Sequence, residues 1–412
     1  MRQLLRARWV APMCGPLIEN AGLLIEAGRI LEVGTANRLR RIGSGVVPND
    51  LGDVVVLPGL VNAHTHLELS DCQVGDPPAD FSQWLSGLFP RTQAPPPRMA
   101  ELVQHAIQTA VAQCLRFGVT TVGDISRQHQ LTRPLLRAGP LRVVSFGEVM
   151  GFGTRRDALE RELPAATDLS QQTQHLRIGL TPHAPYTVEI EGYRKCVQWA
   201  AAHGLPLATH LAETPDETPL LAEHSGPFRQ LWDNLGAWDD RVPRYQGGPI
   251  RLAQAAGLLD YPTLLAHVNY CDDQELAILA AGRASVVYCP RTHAWFGHRP
   301  HRWLDMLRAG INVAVGTDSC ASSPDLNLVD ELRLLHRLCP QVPAMDLWEL
   351  VTVRAARALG MGDRAGIMQP GQPADLVSFV APWDNPLLGV LQNPAGPSGV
   401  WLGGSRLASA DP

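Results

Sequence analysis

Leu57-Pro58-Gly59-Leu60-Val61-Asn62-Ala63-His64-Thr65-His66 is the stretch on which the reading of this chain turns. An apolar run of strand character ends in two histidines one residue apart. On a strand, residues i and i+2 face the same side. His64 and His66 can therefore aim their rings at one point, where two imidazoles can hold a divalent metal. Alone, the pair is equally compatible with chance or with structural hydrogen bonding, so the other donors must be sought elsewhere.

Outward from this pair, strand and helix signals alternate. Residues 53–57 lead into it and open a count of eight strands. The others are expected over 119–124, 141–148, 175–181, 205–210, 263–267, 285–288 and 311–317, with helices over 99–117, 192–203, 273–281 and 303–309. Regular β-α alternation on this scale predicts a (β/α)8 TIM-type barrel over residues 58–362. Both ends are rich in short strands with Gly-bearing turns, at 23–34 and 366–380. They are expected to pair into one small β-sandwich module, residues 1–57 with 363–412. The polar residues gather at the C-terminal ends of the barrel strands: His64, His66, Asp124, Glu148, His183, His210, His267 and Asp318. In a barrel those ends converge on the face where active sites sit.

Composition narrows the class. The chain has 412 residues, 45% hydrophobic and only 18% charged, which supports a sizeable core and argues against broad disorder. A net charge of −5 with no basic stripe offers no footprint for nucleic acid or an anionic membrane. No apolar run approaches the ~20 residues of a membrane span. The first twelve residues carry three arginines and no long apolar core, unlike a signal peptide. Eight scattered cysteines without a Cys-x-x-Cys pair fit reduced thiols and a cytoplasmic setting.

Several strand tips carry chemistry. His210-Leu211-Ala212-Glu213 sets a ligand-type histidine three residues before a carboxylate; both would be solvated on an ordinary loop, but His210 closes an apolar strand. Asp318, in Gly316-Thr317-Asp318-Ser319, can be a ligand and a base, or an Asx turn or helix cap. His267 can be a ligand or an electrophile. Three histidines and an aspartate suit zinc or iron(II).

The segments PGLVNAHTHLELS, TPHAPYTV, THLAET, LLAHVNY, VGTDS and GQPADLVSF, in this order, resemble the amidohydrolase superfamily, and within it the mononuclear deaminase and chlorohydrolase branch. The resemblance spans almost the whole chain. It implies one divalent metal, zinc or iron(II), on His64, His66, His210 and Asp318. It implies that Glu213 and His267 work on the substrate and that Asp318 moves the water proton. Binuclear members bridge two metals with a carbamylated lysine from strand four. Here the only lysine is Lys195, in a helix beyond that strand, and His183 stands at the strand tip.

For the substrate, the resemblance implies a small heterocycle and water, and it implies enzymes that are commonly homodimers. The expected function is hydrolytic deamination of an amino-substituted purine, such as aminodeoxyfutalosine or an adenosine thioether. Triazine or guanine aminohydrolysis, or dechlorination, is the alternative on the same machinery. A non-catalytic barrel scaffold would have lost ligands, and here every expected position is filled. The Cys-type cytidine deaminase signature is absent. His183 matches a substrate-contacting position. Trp84, in a lid-like loop after strand one, is a stacking surface or ordinary core. Glu148 is a ribose ligand or a salt-bridge partner. Thr292-His293 stands where S-adenosylhomocysteine-acting relatives tend to carry Ser-Asn, so His293 is a further substrate-side candidate.

Overall fold

The computed structural model describes residues 2–78 and 80–407. The strands are β1 (Arg2–Val10), β2 (Ile18–Glu26), β3 (Arg29–Thr35), β4 (Pro48–Asp50), β5 (Val54–Pro58), β6 (Leu60–Thr65), β7 (Val119–Ser126), β8 (Arg142–Val149), β9 (Leu176–Pro182), β10 (Leu207–Leu211), β11 (Thr263–His267), β12 (Ser285–Tyr288), β13 (Asn312–Val315), β14 (Leu376–Val380), β15 (Gly399–Leu402) and β16 (Ser405–Arg406). They form two sheets. One runs β6 to β13 in chain order, every pair parallel, with helices between the strands. This is the expected (β/α)8 barrel. The other joins both chain ends in the order β16-β15-β14-β5-β1-β2-β3, with β4 beside β1. It is mixed, since β1 pairs antiparallel with β2 and parallel with β5.

The stretch read as one strand leading into the histidines is in fact two. β5 belongs to the sheet of the chain ends, pairing with β1 and β14, and the barrel begins only at β6. Gly59 marks the break. A side chain there would sit within 2.2 Å of the Thr120 hydroxyl, so only glycine lets the backbone cross from one sheet to the other.

A large apolar cluster joins the end-built sheet, through Trp9, Val55, Leu57, Val377 and Phe379, to the outer layer of the barrel, and each sheet also buries a cluster of its own. The end-built sheet buries Leu5, Leu23, Ile25, Val56, Leu376 and Trp401. The barrel interior is filled by Val61, Ala63, Ile125, Val144, Phe146, Ala208, Leu264, Val287 and Ala314. It packs against Ala355, Ala356 and Leu359 from the Val353–Ala358 helix and its end. These side chains fill the barrel as a packed core.

The first and last strands close around His64. The Asp318 N–H donates to the His64 carbonyl at 3.1 Å. The Asn62 side chain donates to Thr317 Oγ1 at 2.7 Å and accepts the Thr317 N–H at 3.1 Å. Gly316 permits this approach, because a Cβ there would lie 2.6 Å from the His64 carbonyl oxygen.

Two long connections roof one side of the barrel top. The loop after β6 forms the short helices Phe81–Gly87 and Phe89–Thr92, and the following helix Pro96–Arg116 starts inside the Pro-rich run. Proline suits a helix's first positions, where its missing N–H costs nothing. The insertion after β10 contains the helix Pro227–Asn234. Phe81 from the first connection and Phe228 and Trp232 from the second share one apolar cluster with Tyr186. Among the described residues, no helix is long and apolar enough to cross a membrane.

Candidate active site

Alternation along the strands delivers part of the site. On β8, Val144 and Phe146 face the barrel interior, so Glu148 follows them onto the same side at the tip. On β10, Ala208 faces inward and His210 comes next in the period. β6 departs from this rule. Val61 and Ala63 face the interior, which would send His64 and His66 outward. The pairing of β6 with β7 shifts register between Asn62 and Thr65, and the irregularity re-aims the tip. His267 and Asp318 are re-aimed by backbone conformation: their φ values are +72° and +61°, and Ala212 beside Glu213 stands at +50°. Non-glycine residues hold such angles only where their surroundings over-determine them, and such residues cluster at functional sites.

The result is a convergence of donor atoms. His66 Nε2 lies 3.2 Å from His210 Nε2. Asp318 Oδ1 lies 3.6 Å from Nε2 of both His64 and His66. Ligand atoms of His64, His66 and His210, and of His64, His267 and Asp318, form two overlapping groups, each within 4.8 Å. Among the described residues, both ring nitrogens of the fully buried His64 lack a hydrogen-bond partner. The orphaned nitrogens fit a metal ligand, because an unpaired buried polar group is costly. His210 Nδ1 faces the His183 carbonyl at 3.1 Å, so it carries the proton and turns a bare Nε2 toward His66. A backbone carbonyl behind a ligating histidine is the usual way to orient it.

Burial, then the neighbouring His64, lowers His66 to about 4. Burial and the surrounding histidines push His210 well down. These rings are therefore neutral near pH 7, the form that ligates metal. For Asp318, burial acts upward, but the neighbouring His64, His267 and His66 outweigh it and hold the carboxylate below its ordinary range.

Glu213 stands beside this cluster. Its Oε1 is 3.3 Å from His267 Nε2, and its Oε2 accepts the Tyr186 hydroxyl at 3.3 Å. Burial first, then the charges of Asp318 and Glu217, raise its pKa well above the usual value and so favour its protonated form. His267 is lowered to about 3, chiefly by burial.

A cavity of about 430 Å³ opens on the cluster. It is lined by His66, His210, Glu213, Asp318, His183, Glu148, Glu68, Arg127 and Arg155, and by a wall of Phe81, Trp84, Phe89 and Tyr186. His183 Nδ1 pairs with Thr187 Oγ1 at 2.7 Å, and that hydroxyl donates to the Ala184 carbonyl. The proton therefore sits on Nδ1, and Nε2 accepts, 4.0 Å from Glu148 Oε2. Trp84 lines the cavity but spends its N–H on the Ala321 carbonyl at 3.2 Å, which pins the lid to the Asp318 loop.

His293 is not brought to the cavity. It is buried in the short helix Pro290–Trp295, edge-on to Tyr288, with Nε2 against the Arg299 carbonyl at 2.9 Å. His301 sits behind the site, with Nε2 against the His267 carbonyl at 2.9 Å, and His298 meets the Tyr270 hydroxyl. Asp124 accepts the Leu67 N–H and is structural. Lys195 is half-exposed and pairs with Glu160, away from every donor named above. Glu68, Tyr186, Arg127 and Glu217 were not singled out from sequence. Glu68 follows His-x-His by two residues and Tyr186 lies in a quoted motif, but neither has a spacing that marks it.

A parallel barrel with imidazoles, an aspartate and a buried glutamic acid around one cavity has the architecture of a barrel hydrolase. A profile of the amidohydrolase family matches residues 55–407, and the chain belongs to that family. It is 29% identical over 381 residues to a 5-methylthioadenosine/S-adenosylhomocysteine deaminase of Moorella thermoacetica, covering 89% of this chain and 83% of the relative. It is 28% identical over 362 residues to a 5'-deoxyadenosine deaminase of Methanoregula boonei, covering 84% and 76%. Among solved structures, the aminofutalosine deaminase of Helicobacter pylori in complex with methylthio-coformycin superposes with a TM-score of 0.86 at 25% identity, over 98% of this chain and 100% of that one.

Proposed function

We propose that the protein is a metal-dependent aminohydrolase that releases ammonia from the adenine ring of a nucleoside. The observation that carries this reading is the Glu213 carboxyl, buried between Tyr186 and His267 on the edge of the His64/His66/His210/Asp318 cluster. Deamination of a purine needs a proton donor to a ring nitrogen beside a site that activates water. The named deaminase relatives act on nucleosides of this kind.

The four residues would hold one divalent ion, zinc by donor chemistry with iron(II) sharing the ligand set, which supplies water acidified to a pKa of ~7. Asp318 takes the proton of that water and later delivers it to the departing ammonia. Glu213 protonates the ring nitrogen next to the attacked carbon and regains a proton from the new hydroxyl as the carbonyl forms and ammonia leaves. His267, 3.3 Å from Glu213, would stabilise the developing charge. His183 Nε2 and Glu148 offer polar contacts to the rest of the nucleoside, and Trp84 and Phe81 cover its flat face. A cavity of about 430 Å³ suits a nucleoside-sized ligand.

An ammonia-release screen tests the reading. It would cover 5'-methylthioadenosine, S-adenosylhomocysteine, 5'-deoxyadenosine, adenosine, aminodeoxyfutalosine, guanine and aminotriazines. Activity confined to triazines or guanine overturns it. Glu213→Gln should retain bound zinc and lose at least ~100-fold in turnover, the scale of a general acid.

A further inference from the structure

The backbone that carries Glu213 is held from both sides by residues that do not line the cavity. Glu217 opens the helix Glu217–Glu223 and is only 1% exposed. Its Oε2 accepts the Ala212 N–H at 3.0 Å, and its Oε1 accepts the Glu213 N–H at 2.6 Å and the Thr214 N–H at 3.3 Å. From the other side, Asn269 Nδ2 donates to the Glu213 carbonyl at 2.9 Å. Asn269 follows His267 and Val268, both at positive φ, so this grip ties the tip of β10 to the tip of β11.

Among the described residues, the contacts of this buried carboxyl are three consecutive peptide N–H groups, with no cation against it. Burial raises its pKa to about 7, with the three N–H groups opposing that rise. The segment it grips includes Ala212 at φ +50°, a conformation L residues avoid. Left free, this loop would relax toward ordinary angles and swing the Glu213 side chain away from Tyr186 and His267.

We propose that Glu217, opposed by Asn269, is a positioning residue for the proton-donating Glu213: it locks the 212–214 peptides so that the Glu213 carboxyl stays between the Tyr186 hydroxyl and His267 Nε2. The proposal rests on the deaminase reading above. A residue that merely stabilised the fold would affect binding, metal content and turnover together. A residue that aims an acid acts on the chemical step, because misplacement of a reacting group by an ångström costs rate. Its effect also vanishes once the acid is gone.

The experiment uses the full chain loaded with zinc and the best nucleoside from the ammonia screen. Glu217→Gln keeps the side-chain volume but replaces one acceptor with a donor facing the peptide N–H groups. The expected result is a fall in kcat of about 10- to 100-fold, with KM changed less than about threefold and bound zinc unchanged. In the Glu213→Gln background the same change should cost nothing further, the signature of two residues acting as one unit. Asn269→Ala should reproduce the kcat loss from the opposite side, and it serves if Glu217→Gln does not fold. Unchanged kcat in the folded Glu217→Gln protein overturns the proposal. So does a full additional loss in the Glu213→Gln background, or a drop in kcat that tracks lost zinc. A wild type that deaminates nothing in the screen removes the deaminase reading itself, and the positioning role with it.

Discussion

Glu148 makes no side-chain hydrogen bond among the described residues, and its carboxyl meets only His183, at 4.0 Å. Burial raises it to about 8, with Arg127 opposing the rise, and Glu68 across the cavity is raised to about 7 for the same primary reason. An unfolded glutamate releases its proton near ~4.3. Between that value and about 8, the folded protein retains a proton that the unfolded chain has lost, so unfolding releases it and stability falls as pH rises. The stabilisation is complete below the unfolded pKa and gone once pH passes the folded one. Urea denaturation of the wild type should therefore show lower stability at pH 8 than at pH 7, above the range in which unfolded histidines titrate, by about 1 kcal/mol from these two groups. Glu148→Gln cannot ionise and should flatten that slope. A variant as pH-sensitive as the wild type would mean that Glu148 is already ionised in the fold. Buried histidines act in the opposite sense below their unfolded value of ~6.5: His66 and His183, lowered to about 4 and about 3, stay neutral there while the unfolded chain takes up their protons, so the glutamate trend is read above pH 7.

The closing seam between β6 and β13 is where secondary structure becomes a site. Gly316, Thr317 and Asp318 serve three needs in three consecutive positions: close approach to His64, the paired hydrogen bonds with Asn62, and the carboxylate itself. Gly316→Ala puts a methyl 2.6 Å from the His64 carbonyl oxygen and 2.9 Å from its Cβ. The strands must part, at a cost of about 1–3 kcal/mol for overpacking. Because His64 and Asp318 move apart together, zinc affinity should also fall, on the order of 10- to 100-fold as for lost outer-shell support. Zinc titration against a chelator would read this, and unchanged affinity would separate the seam from the metal. The strand tips were legible in the sequence because an apolar run ending in histidine is a local signal with a period. The β6 irregularity was not, since it depends on pairing with β7, and neither was the split at Gly59, since an apolar run does not reveal which sheet it joins. The grip of Glu217 looks like an ordinary acidic first helical turn until the N–H groups it faces are seen. The placement of His293 was not legible either, since it depends on the helix that turns the ring into the packing against Tyr288.

At the scale of the whole molecule, an apolar cluster shared by Trp9, Val55, Leu57, Val377 and Phe379 of the end-built sheet and the outer layer of the barrel joins the two sheets, and a buried ion pair ties them further. Arg142, opening β8, donates from Nε to Asp375 Oδ2 at 2.5 Å. Asp375 precedes β14 in the Gly-Gln-Pro-Ala-Asp-Leu-Val motif. Its other oxygen accepts the Gly403 N–H at 2.7 Å, and its carbonyl accepts the N–H of Gly59 at the crossing point between sheets. Arg142 also reaches His175. The motif that helps mark the family is thus a structural tie, set at the N-terminal end of the barrel strands and remote from the catalytic face. Breaking such a pair leaves a charge buried and unpaired, which costs about 3–5 kcal/mol, whereas replacing both partners with apolar groups of similar volume is often close to neutral. Asp375→Ala should therefore lower unfolding stability by that amount while kcat per folded, zinc-loaded molecule stays at the wild-type value. Arg142→Met combined with Asp375→Leu should recover most of the loss, short of the hydrogen bond to Gly403. Denaturant titration alongside ammonia release separates the two quantities. Loss of kcat in the folded Asp375→Ala protein would show that the end-built sheet reaches through the barrel to the site, and failure of the double variant to regain stability would show that the pair does more than neutralise itself.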